Sequence, residues 1–378
     1  MGKFLFFQPS LDGHFLEYLH HEYLEAISQK NDSFIFVVPE NFKKQGGELN
    51  WPKSKNVNIY FLSDDETTLC NQVSAVRRSI TQGLIIGKYC KKYNVDICFL
   101  NDLVNSMPFI TFFLPKRCRV SGILYGIYRW NTDQLSLKKK LLNYVIFKTY
   151  SKIKYFKNVF LLNDSESSVY FNKLFKTTTF SYLPDPINIR NNYIPKDTLK
   201  DELGIKPTDV VFLQLVVQKR KHPFDILDAI KQLPKEVLVD KVFIFIGSIE
   251  KDIERRFLQE VEMLRTKVRI ILKIGWVSYD TVYDMFYIAD YCFTLYDNTN
   301  MSSGVLGYAA YFNTKVIGVN KGLLGFLINK YHLGICVNEI TLEEISKAII
   351  DILDYPTTSN EYVKSNSIDN FVNIIFNN

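Results

Sequence analysis

Apolar positions along this chain follow two rhythms that take turns. In the first half, short runs of large, β-branched or aromatic residues, each closed by polar or turn residues, occur at Lys3–Pro9, Ser33–Pro39, Asn56–Leu62, Asp96–Asn101, Arg119–Tyr125 and Val159–Asn163. Runs of that length predict strands buried on both faces, as in a parallel sheet. Between them the spacing is helical. From His14 to Gln29, for instance, Phe15, Leu16, Leu19, Tyr23, Leu24 and Ile27 share one stripe, which predicts an amphipathic helix. On that helix His20, His21 and Glu22 read as a solvated face.

Leu183 to Pro195 interrupts the pattern with Pro184, Pro186, Pro195 and several asparagines, as a linker would. A second alternation follows. Strands are expected over Val210–Val217, Lys241–Gly247, Val268–Gly275, Asp290–Tyr296 and Thr314–Asn320, with helices over Pro223–Pro234, Ile253–Arg265, Tyr279–Ala289 and Ser303–Phe312. The expected class is therefore α/β, with two Rossmann-like doubly wound parallel-sheet domains, 1–185 and 186–352, facing across a cleft at the carboxyl ends of their strands. Residues 353–378 have helical spacing and are expected to pack back on the core.

Composition adds little to fold and more to location. A chain of 378 residues with 47% hydrophobic and 23% charged residues is ordinary for a two-domain globular protein, and 29 Phe with 23 Tyr predict large-residue cores. Only Phe4 to Phe7 precede Gln8 and Pro9, too short an apolar stretch for a signal peptide, and Phe6 stands where a myristoylation signal needs Ser or Thr. No run reaches the roughly 18 apolar residues of a spanning helix. The six cysteines form no C-x-x-C pair, and none of the five histidines has the i, i+4 partner of a helical zinc site. These features point to a reducing cytoplasm.

The candidate chemistry lies in the second half. After the strand ending at Tyr296 the chain turns through Ser302, Ser303 and Gly304 into an apolar helix. A helix start offers unpaired N–H groups and the positive end of the macrodipole, so this turn is a candidate phosphate cradle, although an ordinary serine N-cap has the same sequence. Lys219, Arg220 and Lys221 follow the first strand of the same half and are expected at the same sheet edge. Cations and a helix amino end converging there suit a diphosphate.

The ordered motifs Arg220–Ile230, Phe243–Ser248, Lys273–Asp297 and Ser302–Gly325, continued through Tyr331–Val337 and Thr341–Leu353, resemble the carboxyl domain of retaining GT-B glycosyltransferases, family four in particular. In the first half Gln8–Leu19 resembles the glycine-containing loop after the family's first strand, and Tyr182–Asn188 its interdomain approach. The resemblance implies a GT-B fold and transfer of a sugar from a UDP- or GDP-sugar to a glycan or lipid-linked acceptor, without a metal or other cofactor. By position it implies that Arg220 and Lys221 neutralise the donor diphosphate, that Ser302, Ser303, Gly304 and Val305 contact it through the backbone, and that Gly247, Trp276 and Val277 lie near the nucleobase. Asp12, Gly13 and His14 would line the opposite wall near the transferred sugar and acceptor, with His14 equally readable as a helix-start residue making a local bond. Members usually carry two glutamates with seven residues between them, one touching the sugar and one the ribose, where this chain has Asn300 and Tyr308, and often a histidine where it has Tyr125. Those replacements leave open a non-catalytic GT-B scaffold or partner subunit, and a GT-B sugar epimerase is a further reading.

Lys138, Lys139, Lys140, Lys148, Lys152, Lys154 and Lys157 alternate with large apolar residues. This stretch reads either as a peripheral contact with an anionic membrane, at the inner face, or as a solvated surface helix. Net charge is +6, and neither a recognition motif nor an aromatic platform accompanies the lysines, so nucleic acid is not an expected partner.

Overall fold

A computed structural model describes residues 2–128, 136–188, 193–356 and 360–377. The chain forms two compact units: Met1–Pro184 with Ile368–Asn378, and Asp185–Ser367. The first contains a seven-stranded parallel sheet of β1 (Lys3–Phe7), β2 (Ser33–Pro39), β3 (Val57–Leu62), β4 (Ile97–Leu100), β5 (Arg119–Leu124), β6 (Phe156–Leu162) and β7 (Phe180–Leu183), in the order β3-β2-β1-β4-β5-β6-β7. The second contains six parallel strands, β8 (Val210–Val217), β9 (Lys241–Ile249), β10 (Arg269–Ile274), β11 (Tyr291–Thr294), β12 (Lys315–Val319) and β13 (Gly334–Val337), in the order β10-β9-β8-β11-β12-β13. Strand order reverses between β1 and β4 in one sheet and between β8 and β11 in the other. Such reversals open crevices at the carboxyl ends of the strands, where open α/β sheets bind ligands.

Aromatic residues fill the layers next to the sheets. Because side chains alternate along a strand, Leu5 and Phe7 enter one core and Phe6 the other. On the second face Phe6 stacks on Phe36 at 4.8 Å and meets Phe99 at 5.4 Å, and Phe99 reaches Phe160 at 6.0 Å. Phe212, Phe243 and Tyr291 make the corresponding contacts in the second unit, at 4.8 to 5.0 Å.

Two features differ from the sequence reading, and a third refines it. β7 and β13 are added edge strands of four residues each. His21 and Glu22 do not face solvent: the helix Phe15–Ser28 turns both inward, at 6% and 0% exposure. Glu22 is held there by Asn101, whose Nδ2 donates to Glu22 Oε2 at 3.0 Å. Residues beyond 353 divide between the units. The short helix Glu361–Ser365 packs Tyr362 on Tyr331 in the second, while Ile368–Asn377 lays Phe376 on Phe6 and Phe371 on Tyr18 in the first.

Candidate functional site

In the second unit the crevice between β8 and β11 is built from two turns. Residues Lys219–Lys221 form one 3-10 turn after β8, and 296–303 run from β11 to the helix Gly304–Phe312. They are tied together: the Asp297 N–H donates to the Arg220 carbonyl at 3.0 Å, and the His222 imidazole bridges Asp225 at 2.9 Å and Asp297 at 2.8 Å. His222 takes a left-handed φ of 53° to end the first turn and start the helix Pro223–Gln232.

The three cations of the first turn have separate fates. Lys219 Nζ bonds the Asp252 carboxylate, and its backbone N–H donates to Glu250 at 2.8 Å, so it anchors the turn. Arg220 is exposed and its Nε donates to Gln218 Oε1 at 2.9 Å. Lys221 is buried at 7% exposure, with Nζ donating to the Leu215 carbonyl at 2.8 Å and lying 5.1 Å from the centroid of the Tyr296 ring. Desolvation, and secondarily the charge of Arg220, push its pKa down to about 8. No carboxylate faces Lys221 among its described partners, so its charge is held at a cost that an incoming anion would offset.

Tyr296 joins the two turns. Burial pushes its hydroxyl up to about 12, opposed by a hydrogen bond with Ser303 and by the nearby Arg220. Ser303 is the N-cap residue of its helix and makes no side-chain capping bond. Lys221, Arg220, Tyr296 and Ser303 therefore meet at one helix amino end, whose Gly304 and Val305 N–H groups have no carbonyl four residues back within the helix. This arrangement can receive two or more anionic oxygens. Ser302 is engaged differently, donating to the buried Asp185 carboxylate at 2.7 Å.

Along the same edge, backbone shape is unusual. Val216 has φ 65°, rare for a β-branched residue, at an irregularity in the β8–β9 pairing. Opposite it Gly247 has φ 96°, and a Cβ there would lie 3.2 Å from Val216 Cγ2. Gly275, φ 127°, donates its N–H to the Gly247 carbonyl at 3.1 Å and delivers Trp276, 83% exposed, and the half-buried Val277 to that edge. Asn300 is half-buried, its N–H bonded to Asn298 Oδ1 at 3.1 Å. Tyr308 sits elsewhere: it is buried in an aromatic cluster, edge-on to Tyr283 at 5.3 Å and 5.5 Å from Phe286.

In the first unit the loop after β1 carries Asp12, Gly13 and His14. Gly13 adopts φ 63°, and no atom lies within 4 Å of where its Cβ would stand. Asp12 accepts from Ser10 Oγ at 2.7 Å, and the half-exposed His14 pairs with Glu17 at 3.1 Å, so the local bond foreseen for His14 exists. Asp12, with Gln8, Asn71, Gln82, Asp102 and Asn105, lines a cavity of about 200 Å³. Tyr125 lies beside this loop, its ring edge-on to Phe15 at 6.4 Å, and donates to the Asn101 carbonyl at 2.8 Å.

Several functional candidates carried no separate signal in the sequence. Tyr296, His222 and Asp297 gain meaning only from the closeness of the two turns, and Gln8 and Asp102 only from the cavity.

Comparison with solved structures decides the architecture. HepE from Anabaena, solved in complex with UDP and glucose, superposes over 99% of this chain and 98% of its own at a TM-score of 0.69 and 14% identity. The chain has the GT-B fold. Sucrose-phosphate synthase from Thermosynechococcus elongatus matches over 99% and 96% at 0.67 and 14% identity, and the amino-terminal domain of Candida albicans trehalose-6-phosphate phosphatase over 99% and 96% at 0.69 and 12%. No family model and no curated protein sequence matches the chain. Among the described residues no helix is long and apolar enough to cross a membrane.

Proposed function

We propose that the protein is a hexosyltransferase that moves a glycosyl group from a UDP- or GDP-sugar to a hydroxyl of a glycan or lipid-linked acceptor, with retention at the anomeric carbon, in surface polysaccharide synthesis. The observation that carries this reading is the meeting of Arg220, Lys221, Tyr296 and Ser303 at the amino end of the helix Gly304–Phe312, at the crevice between β8 and β11. HepE, similar in fold, is a UDP complex, which supports a uridine or related nucleotide as the donor's handle.

In this reading the glycosidic C–O bond to the β-phosphate breaks while the acceptor oxygen bonds the same carbon. The electron pair stays on the departing diphosphate. Arg220, Lys221 and the helix N–H groups stabilise the charge that accumulates there, and the diphosphate oxygen takes the acceptor proton. Asn300 supplies a hydrogen bond to a sugar hydroxyl. Gly247, Trp276 and Val277 border the base, while Asp12, Gly13, His14 and Tyr125 serve the acceptor side.

A second reading is a nucleotide-sugar-binding scaffold without turnover. The burial of Tyr308 among Tyr283 and Phe286 favours it, because no carboxylate stands at that position to grip a ribose. Incubation with a nucleotide-sugar panel and mixed glycan acceptors, followed by proton NMR of the anomeric signals, separates the readings. Consumption of one donor with an anomeric configuration kept in the product supports transfer. Binding with no consumption of any donor supports the scaffold.

A further inference from the structure

The helix Leu137–Lys152 is apolar on two sides. Its inner side packs Phe147 on Phe171 at 4.9 Å and Tyr144 on Phe175 at 5.4 Å, against the helix Ser165–Phe175. The opposite side exposes Leu137, Leu141, Leu142 and Val145 by 84, 67, 59 and 53%. At 100° per residue these four share one face, and Lys138, Lys148 and Lys152 fall on that same face among them. From Ser136 to Asn163 the chain has seven lysines and no acidic residue.

We infer that this face docks on an anionic lipid surface, with Leu137, Leu141, Leu142 and Val145 entering the headgroup–acyl boundary and Lys138, Lys148 and Lys152 reaching the phosphates. Neither the lysines nor the apolar side chains suffice alone. Lysines with no apolar residues between them would fit a solvated helix, and four exposed apolar side chains would fit many partners. Together they describe a helix lying in an interface plane, with the lysine stems spread along the apolar strip and their ammonium groups at headgroup level. A second copy of the same face is disfavoured by charge, since a two-fold contact would set lysines against lysines with no acid on the helix to pair them. The contact does not depend on donor chemistry, so it can fail while the glycosyltransferase reading stands, and the reverse.

Co-sedimentation of the whole protein with vesicles of phosphatidylcholine, with and without phosphatidylglycerol, tests it. Partitioning should require the anionic lipid and weaken with salt. K138Q/K148Q/K152Q should lower it roughly 100-fold, at about fivefold per lysine. L141S/L142S, and separately L137S/V145S, should each lower it by at least about tenfold and remove the part that survives high salt. All the substituted side chains are exposed or on the helix surface, so melting temperature and nucleotide binding should stay at wild-type values, and having two leucine-face variants guards against one that misfolds. Equal partitioning onto neutral and anionic vesicles, unchanged binding of the lysine variant, or unchanged binding of both apolar-face variants would overturn the proposal. A dimer in sedimentation that L141S/L142S abolishes would overturn it too, by assigning the face to a second copy.

Discussion

The buried ammonium of Lys221 makes a proton-linkage experiment decisive. With its pKa lowered from 10.5 to about 8 by desolvation, the folded protein loses this proton between pH 7 and 9, whereas the unfolded chain keeps it to beyond pH 10. Below pH 8 both states hold the proton and the full burial cost, about 3 kcal/mol at 1.36 kcal/mol per unit, weighs on the fold. Between pH 8 and 10.5 the unfolded chain binds more protons, so stability from this group rises with pH. A diphosphate placed beside Nζ reverses the shift by supplying the missing negative charge. Binding of UDP should then draw in a proton: about 0.1 per site at pH 7, where Lys221 is mostly charged already, and about 0.7 at pH 8.5. The terminal phosphate, with a second pKa of about 6, is fully ionised at the higher pH and does not obscure the uptake. Calorimetry in buffers of different ionisation enthalpy reads the number directly. Lys221→Met should abolish the uptake and weaken binding, and its effect on folding stability should change by about 3 kcal/mol in the destabilising direction between pH 7 and 10.5, whatever the constant cost of the unpaired Leu215 carbonyl. Uptake near zero at pH 8.5, or equal uptake in Lys221→Met, would refute the assignment of this lysine to the anion site.

Other consequences are simpler to state. Arg220→Ala, at an exposed position, should lower kcat/KM roughly 100-fold or more with a stability change of only about 0.5 kcal/mol, and Arg220→Lys should keep partial activity because it retains charge without the planar fork; steady-state kinetics beside melting curves check both. Glu22 is buried, with its carboxyl held well above the usual range chiefly by desolvation. Its contribution to stability is full below the carboxylate's ordinary pKa and falls as pH rises, so Glu22→Gln, which removes the titrating carboxyl and keeps an oxygen to accept from Asn101 Nδ2, should stabilise the fold by roughly 1 kcal/mol at pH 7.5 and by little at pH 4. Urea unfolding at the two pH values reads the difference.

Most of the sheet was legible because its central strands are buried on both faces and leave uninterrupted apolar runs. β7 and β13 escaped because each has four residues, lies at a sheet edge and includes Ser181 or Gly334, which blur the run. His21 and Glu22 depart from the solvated face their letters predict for a different reason. Polar letters on a helix predict solvent, and only the fold supplies Asn101, seventy-nine residues away, as the partner that lets Glu22 turn inward. In the candidate site, Arg220 and Ser303 stand out in the sequence because each belongs to a motif that follows a strand. Residues do not stand out where chemistry depends on two loops meeting: Lys219 looked like its neighbours until Asp252 claimed it, and Tyr296 looked like the end of a strand.

Whether the crevice between β8 and β11 binds a nucleoside diphosphate through Arg220 and Lys221 is decided by calorimetric titration of the wild type, Arg220→Ala and Lys221→Met with UDP, GDP and UDP-glucose. The wild type should bind at least one of these saturably, and each variant should bind it at least about tenfold more weakly, matching the loss of one charge-assisted contact. No binding by the wild type at millimolar nucleotide, or wild-type affinity in both variants, would contradict this assignment.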